Sequence, residues 1–240
     1  MSSRGRGYIG AVAFALAFGA LTAAVLSSSG ATAFDRELEA FVSGHRVEPL
    51  LSFMRGVTWL GSVVVLGPLV IVLASALVVR ERDRVLALLG VGGFAGAVAL
   101  NWVAKGVADR MRPPVVSGFG PYAGWSFPSG HSTQVVVGLG IAALVMTVLP
   151  GNRRRWLWPG AAFLVLLVGA SRVYLGAYWA TDVLGGFALG GTWLSLFLAG
   201  TARWRTGVRG RGPGRGAARP PEASPRNGLG QGRGNRAQLL

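Results

Sequence analysis

Three short groups of residues carry side chains that can do chemistry on a phosphate. Lys105, Arg112 and Pro113 form the first, Pro128-Ser129-Gly130-His131 the second, and Ser171-Arg172 with Tyr178 and Asp182 the third. A guanidinium is a planar fork that grips phosphate oxygens in pairs, and an ammonium adds a mobile point charge. Lys105, Arg110, Arg112 and Arg172 supply such cations, and three of them can cage one phosphoryl group. Ser129 and Gly130 precede an apolar run, so their backbone N–H groups fall at a helix N-terminus, where aligned dipoles favour an anion. Histidine alone here has an ordinary pKa near neutrality, which suits His131 to give a proton to a departing oxygen. Each group also has a plain structural reading. Lys105 and Arg112 can be interfacial snorkelling residues, and Pro-Ser-Gly can be a simple helix start with Ser129 as N-cap. Asp182 resists such a reading, because a carboxylate just inside an apolar span is costly unless paired.

The elements that must position these residues are transmembrane. The 240 residues are 51% hydrophobic and only 14% charged, with the charges at the ends and in short breaks between long apolar runs. A soluble domain of this length would scatter its charges along amphipathic elements. Six stretches reach the roughly 20 apolar residues that a bilayer requires, near 8–28, 57–79, 85–104, 132–150, 156–175 and 180–201. The expected fold is all-α, a six-helix transmembrane bundle over 1–202 with its motif core at 105–186, followed by a disordered basic tail at 203–240. Arg4 and Arg6, Arg80, Arg82 and Arg84, and Arg153, Arg154 and Arg155 all fall on one side of such a bundle. The positive-inside rule makes that side cytoplasmic, together with both termini. The breaks at 29–56, 105–131 and 172–179 then face outward and bring the phosphate-handling residues to one face. Ala31-Thr32-Ala33 also resembles a signal cleavage site, though the preceding apolar run is longer than a signal's.

Smaller features belong to packing. Gly92 and Gly96, and Gly186 and Gly190, stand four apart and let helix backbones approach closely in lipid. Trp59, Trp102, Trp156, Trp158, Trp179 and Trp204 fall near span ends and read as headgroup anchors. His45 reads as a surface residue. Cysteine is absent, which removes disulfides and thiolate metal sites from consideration.

In these three groups the chain resembles the type 2 phosphatidic acid phosphatase and vanadium haloperoxidase superfamily, in its six-span lipid-phosphatase branch. That family's motifs are Lys, six residues, Arg-Pro; Pro-Ser-Gly-His; and Ser-Arg, five residues, His, three residues, Asp. The first two are complete here, and the third has Tyr178 where the histidine stands. The resemblance implies that Lys105, Arg112, Ser129, Gly130 and Arg172 bind phosphate and that His131 protonates the leaving oxygen. It implies that the residue at 178 attacks phosphorus, with Asp182 orienting it. If the segment is helical, Tyr178 and Asp182 share a face. A lipid phosphate or polyprenyl pyrophosphate is the implied substrate, at the outer face of the plasma membrane. No cofactor or metal is expected, since the cations supply the neutralisation that Mg²⁺ provides elsewhere.

Tyr178 divides the functional expectation. A phenol with pKa about 10 is roughly one part in a thousand ionised at pH 7, whereas imidazole is largely neutral and nucleophilic. Neighbouring cations can lower the phenol pKa, and Asp182 can accept its proton. One reading is a phosphatase of low or absent turnover, and the other a non-catalytic protein of the same fold that binds or transports a phospholipid headgroup. The formal charge of +15 suggests nucleic acid until it is located: nine of the 24 basic residues are arginines beyond residue 202. Such a tail after a last span is expected to lie against anionic lipid, with no specific nucleic-acid partner. Oligomeric state is not readable from the sequence.

Overall fold

A computed structural model describes residues 3–28, 32–114, 124–149 and 154–210. The chain is all-α, and no strand occurs among those residues. Eight α-helices follow in order: α1 Ser3–Ser27, α2 Ala33–Gly44, α3 Glu48–Trp59, α4 Val63–Glu81, α5 Arg84–Ala108, α6 Gly130–Val148, α7 Leu157–Tyr174 and α8 Ala180–Gly210. Six of them, all but α2 and α3, are long and apolar enough to cross a membrane, and the protein is a multi-pass membrane protein. The expected tail beyond residue 210 and the side chains of Arg4 and Arg6 lie outside the described residues, as do Ala31 and Arg153.

Local chemistry sets the helix boundaries. Ser62 caps α4 by accepting from the Val65 N–H, which starts the second span at Val63, later than the expected 57. Residues 60–62 turn instead, so 57–59 close α3. Asp83 caps α5 through the Leu86 N–H, and Ser129 caps α6 through the Ser132 N–H. The segment expected to be an outer break at 29–56 contains two helices that the sequence reading did not resolve. Thr32 and Asp35 form a reciprocal capping box at the head of α2, and Pro49 in the first turn of α3 starts a helix at no hydrogen-bond cost.

Lipid gives helices no hydrophobic reason to associate, so close packing and interhelical hydrogen bonds do that work. At Gly186 an added Cβ would sit 2.5 Å from the Ser129 carbonyl oxygen, and at Gly190 2.9 Å from that of Thr133. The backbones of α6 and α8 thus touch at these glycines. Gly96 admits the Trp193 indole, whereas Gly92 faces open space and takes no part. Inside the bundle the Asn101 amide donates to the Thr133 hydroxyl at 3.0 Å, joining α5 to α6. Trp59, Trp102, Trp156 and Trp158 are exposed, as anchors should be. Trp179 is not an anchor: it is buried and donates its indole N–H to the Met111 carbonyl at 2.9 Å. Trp204 is half-buried against the core.

Candidate functional site

Because successive spans run antiparallel, the C-terminal ends of α5 and α7 and the N-terminal ends of α6 and α8 gather at one end of the bundle. Lys105 occupies the last turn of α5, His131 the first turn of α6, Arg172 the last turn of α7 and Asp182 the first turn of α8. Arg112 lies in the segment after α5, and Tyr178 in the bend between α7 and α8. A cavity of about 510 Å³ opens there, lined by Lys105, Arg112, Gly130, His131, Gln134 and Tyr178, with Val63, Trp102 and Trp125 along its apolar rim.

Tyr178 sits among the three cations. Its ring centroid is 4.2 Å from the Arg112 guanidinium carbon, 5.0 Å from that of Arg172 and 5.4 Å from Lys105 Nζ. Arg112 also donates through Nη2 to the phenol oxygen at 3.1 Å. Burial pushes the phenol pKa up, but Lys105, Arg112 and Arg172 together outweigh it and hold it below the ordinary value of 10.0. The cations are in turn fixed by backbone acceptors. Lys105 donates to the Trp125 and Ser126 carbonyls at 2.8 and 3.3 Å, and Arg112 to those of Ala177 and Gly124 at 2.9 and 3.1 Å. An ammonium has three N–H donors, so Lys105 keeps one beyond these two bonds. Arg172 is buried and donates to the Thr58 hydroxyl of α3 at 2.6 Å.

The expected residues divide into two groups. Lys105, Arg112, Gly130, His131 and Tyr178 share the cavity wall. Ser129, Arg172 and Asp182 are buried behind it. Ser129 Oγ is engaged within α6, accepting from the Ser132 hydroxyl at 3.0 Å and its N–H at 3.4 Å, the helix-start arrangement. The helical relation between Tyr178 and Asp182 does not hold, because α8 begins at Ala180 and Tyr178 precedes it. Asp182 turns instead to Arg110 Nη1, at 2.6 Å, and to the Trp179 N–H, at 2.8 Å.

Arg110 is the centre of a buried charge network that motif reading left without a role. Its Nη2 pairs with Asp35 of α2 at 2.5 Å, and its Nη1 also reaches the Thr181 hydroxyl at 2.7 Å. Asp35 further accepts from the Thr181 N–H at 3.0 Å and hydroxyl at 2.7 Å. Burial raises the Asp35 pKa, but the bonds from Thr181, Arg110 and Thr32 prevail and leave it below 3.8. This network clamps α2 to the head of α8. Sequence reasoning missed Asp35, Thr58, Thr181, Asn101 and Gln134. The Thr32-to-Asp35 capping signature could have exposed α2, and two amides inside apolar runs, Asn101 and Gln134, were visible as costly in lipid.

The model of the PAP2 superfamily matches residues 85–205. Phosphatidylglycerophosphatase B of Bacillus subtilis is 37% identical over 145 residues, covering 57% of this chain and 68% of that protein. An undecaprenyl-diphosphatase of Sulfolobus acidocaldarius is 31% identical over 127 residues, or 51% of this chain and 58% of that protein. Among solved structures, a transmembrane PAP2-type phosphatidylglycerolphosphate phosphatase from Bacillus subtilis superposes with a TM-score of 0.71 at 30% identity. The match covers 81% of this chain and 96% of that one.

Proposed function

Since the chain belongs to the PAP2 superfamily, we propose that it is a membrane phosphatase of lipid phosphates or polyprenyl pyrophosphates whose turnover is held low by Tyr178. The observation that carries this reading is the cavity on which Lys105, Arg112, Gly130 and His131 converge. Cations and a helix N-terminus aimed at one space stabilise the charge of a phosphoryl group in transfer without rearrangement. The names of the relatives, a phosphatidylglycerophosphatase and an undecaprenyl-diphosphatase, support a lipid-borne phosphate. The distribution of arginines supports cytoplasmic termini and a site open to the outside of the plasma membrane.

In the active reading the Tyr178 phenolate attacks phosphorus, the bond from phosphorus to the lipid oxygen breaks, and that oxygen takes a proton from His131. Water then attacks the phosphorus, giving a proton back to His131, and the bond from phosphorus to Tyr178 breaks to release the phenolate and inorganic phosphate. Two observations support slow turnover. The phenol oxygen already accepts from Arg112, and Asp182 is held by Arg110 and the Trp179 N–H rather than by the phenol. The same two facts favour the second reading, a non-catalytic protein that binds a phospholipid headgroup. Restoring the motif tests the role that both readings give to Tyr178. Tyr178→His in detergent-solubilised full chain is expected to release inorganic phosphate about a hundredfold faster than the unsubstituted protein. A starting protein as fast as the variant, with Tyr178→Phe unchanged as well, would overturn the role given to this residue.

A further inference from the structure

We propose that Asn101 and Gln134 form a second subsite below the cation cage that recognises a hydroxyl-bearing linker on the substrate. The site thereby favours a lipid monophosphate esterified to a polyol over one whose phosphate is joined to a plain acyl glycerol or to a second phosphate. This inference rests on the lipid-phosphate reading above and names the substrate class within it.

Asn101 lies one helical turn before Lys105 on α5, and Gln134 one turn after Gly130 on α6, so both sit deeper in the bundle than the cage. Both line the same cavity. The orientation of the Asn101 amide follows from its partners. The Thr133 hydroxyl has one proton, which goes to the Ser129 carbonyl at 3.1 Å or the Gly186 carbonyl at 3.2 Å, leaving a lone pair to accept from Asn101 Nδ2 at 3.0 Å. The Pro128 carbonyl, which can only accept, also faces that nitrogen. Asn101 Oδ1 is thereby turned toward Gly130, where an added Cβ would meet it at 3.2 Å and would meet Gln134 Nε2 at 3.6 Å. A fixed acceptor and an amide donor thus both lie close to Gly130 on the cavity wall.

No described residue hydrogen-bonds the Gln134 side chain, although it stands inside a membrane span. An amide at that depth is expensive unless something in the cavity engages it. With the phosphoryl group among Lys105, Arg112 and His131, the next atoms of the substrate pass these two amides. They are neutral, so they offer nothing to balance a second phosphate. Acceptor and donor side by side match a hydroxyl, which needs one of each.

The test uses full-length protein in detergent micelles and reads binding through the fluorescence of Trp102 and Trp125, which border the cavity. The probes are phosphatidylglycerol phosphate, whose linker carries a hydroxyl, and phosphatidic acid, whose phosphate has none beside it. Gln134→Met keeps length and loses the amide; it is expected to raise Kd about tenfold for the first probe and under about twofold for the second. Gln134→Ala provides the same comparison if the methionine variant fails to fold. Equal weakening of both probes, no weakening of either, or no binding of either to the unsubstituted protein would overturn the subsite. Phosphate release is measured separately. If neither probe is hydrolysed while the selective loss of binding stands, the phosphatase reading fails and the subsite survives.

Discussion

Tyr178 Oη has a guanidinium donor and three cations around its ring, and among the described residues no carboxylate hydrogen-bonds it. Its ionisation is therefore set by these cations acting against burial. Because they favour the phenolate, tyrosinate absorbance that disappears in Tyr178→Phe should titrate with a midpoint below 10, and Arg112→Gln should move that midpoint back up. If the phenolate is the nucleophile, phosphate release climbs over the same pH range. A rate that is flat with pH there, alongside a clear tyrosinate titration, would separate the two events. Lys105 makes a second residue-scale test. Lys105→Met removes the N–H left beyond its two backbone bonds and one charge of the cage, and should weaken inorganic phosphate binding about tenfold, measured by isothermal calorimetry.

Among the elements, the least foreseen is the clamp of α2 onto α8 through Asp35, Arg110, Thr181 and Asp182. Removing one member of a buried ion pair leaves the other uncompensated, at about 3–5 kcal/mol. Asp35→Asn and Arg110→Met should each lower thermal stability in detergent by that order and raise hydrogen exchange in α2. Asp35 is held below its ordinary pKa, so its contribution is fully present above pH 3.8 and is lost as pH falls through the lower, folded value. Stability that declines in acid for the parent protein and less steeply for Asp35→Asn is the expected signature. The spans were legible in the sequence because hydrophobic length is a one-dimensional signal, and the motif residues because their spacing is local. The clamp was not, since Asp35 and Asp182 meet only after folding. The Tyr178 to Asp182 relation was legible only on the condition of a continuous helix, and the bend that precedes Ala180 removes that condition.

At the scale of the molecule, the arginine distribution predicts which end of the bundle faces out, and a chain without cysteine makes that easy to test. Ser43→Cys, exposed at the motif end, should react with a membrane-impermeant thiol reagent on intact cells. Glu81→Cys, exposed at the opposite end, should react only after permeabilisation. The reverse pattern would invert the topology and place the site in the cytoplasm. Deleting residues 206–240 should weaken association with anionic vesicles while leaving phosphate release intact, since the tail's arginines are remote in sequence from the motifs.

The touching backbones of α6 and α8 carry a consequence for how this protein can change over generations. Gly186 and Gly190 hold no reactive atom, yet a single methyl at either would wedge apart the helices that deliver His131 and Asp182. In a library covering every single substitution, selected for surviving activity, these two positions should be as intolerant as Lys105 or His131. Gly92, equally small and only a short way along a neighbouring helix, should accept nearly anything apolar.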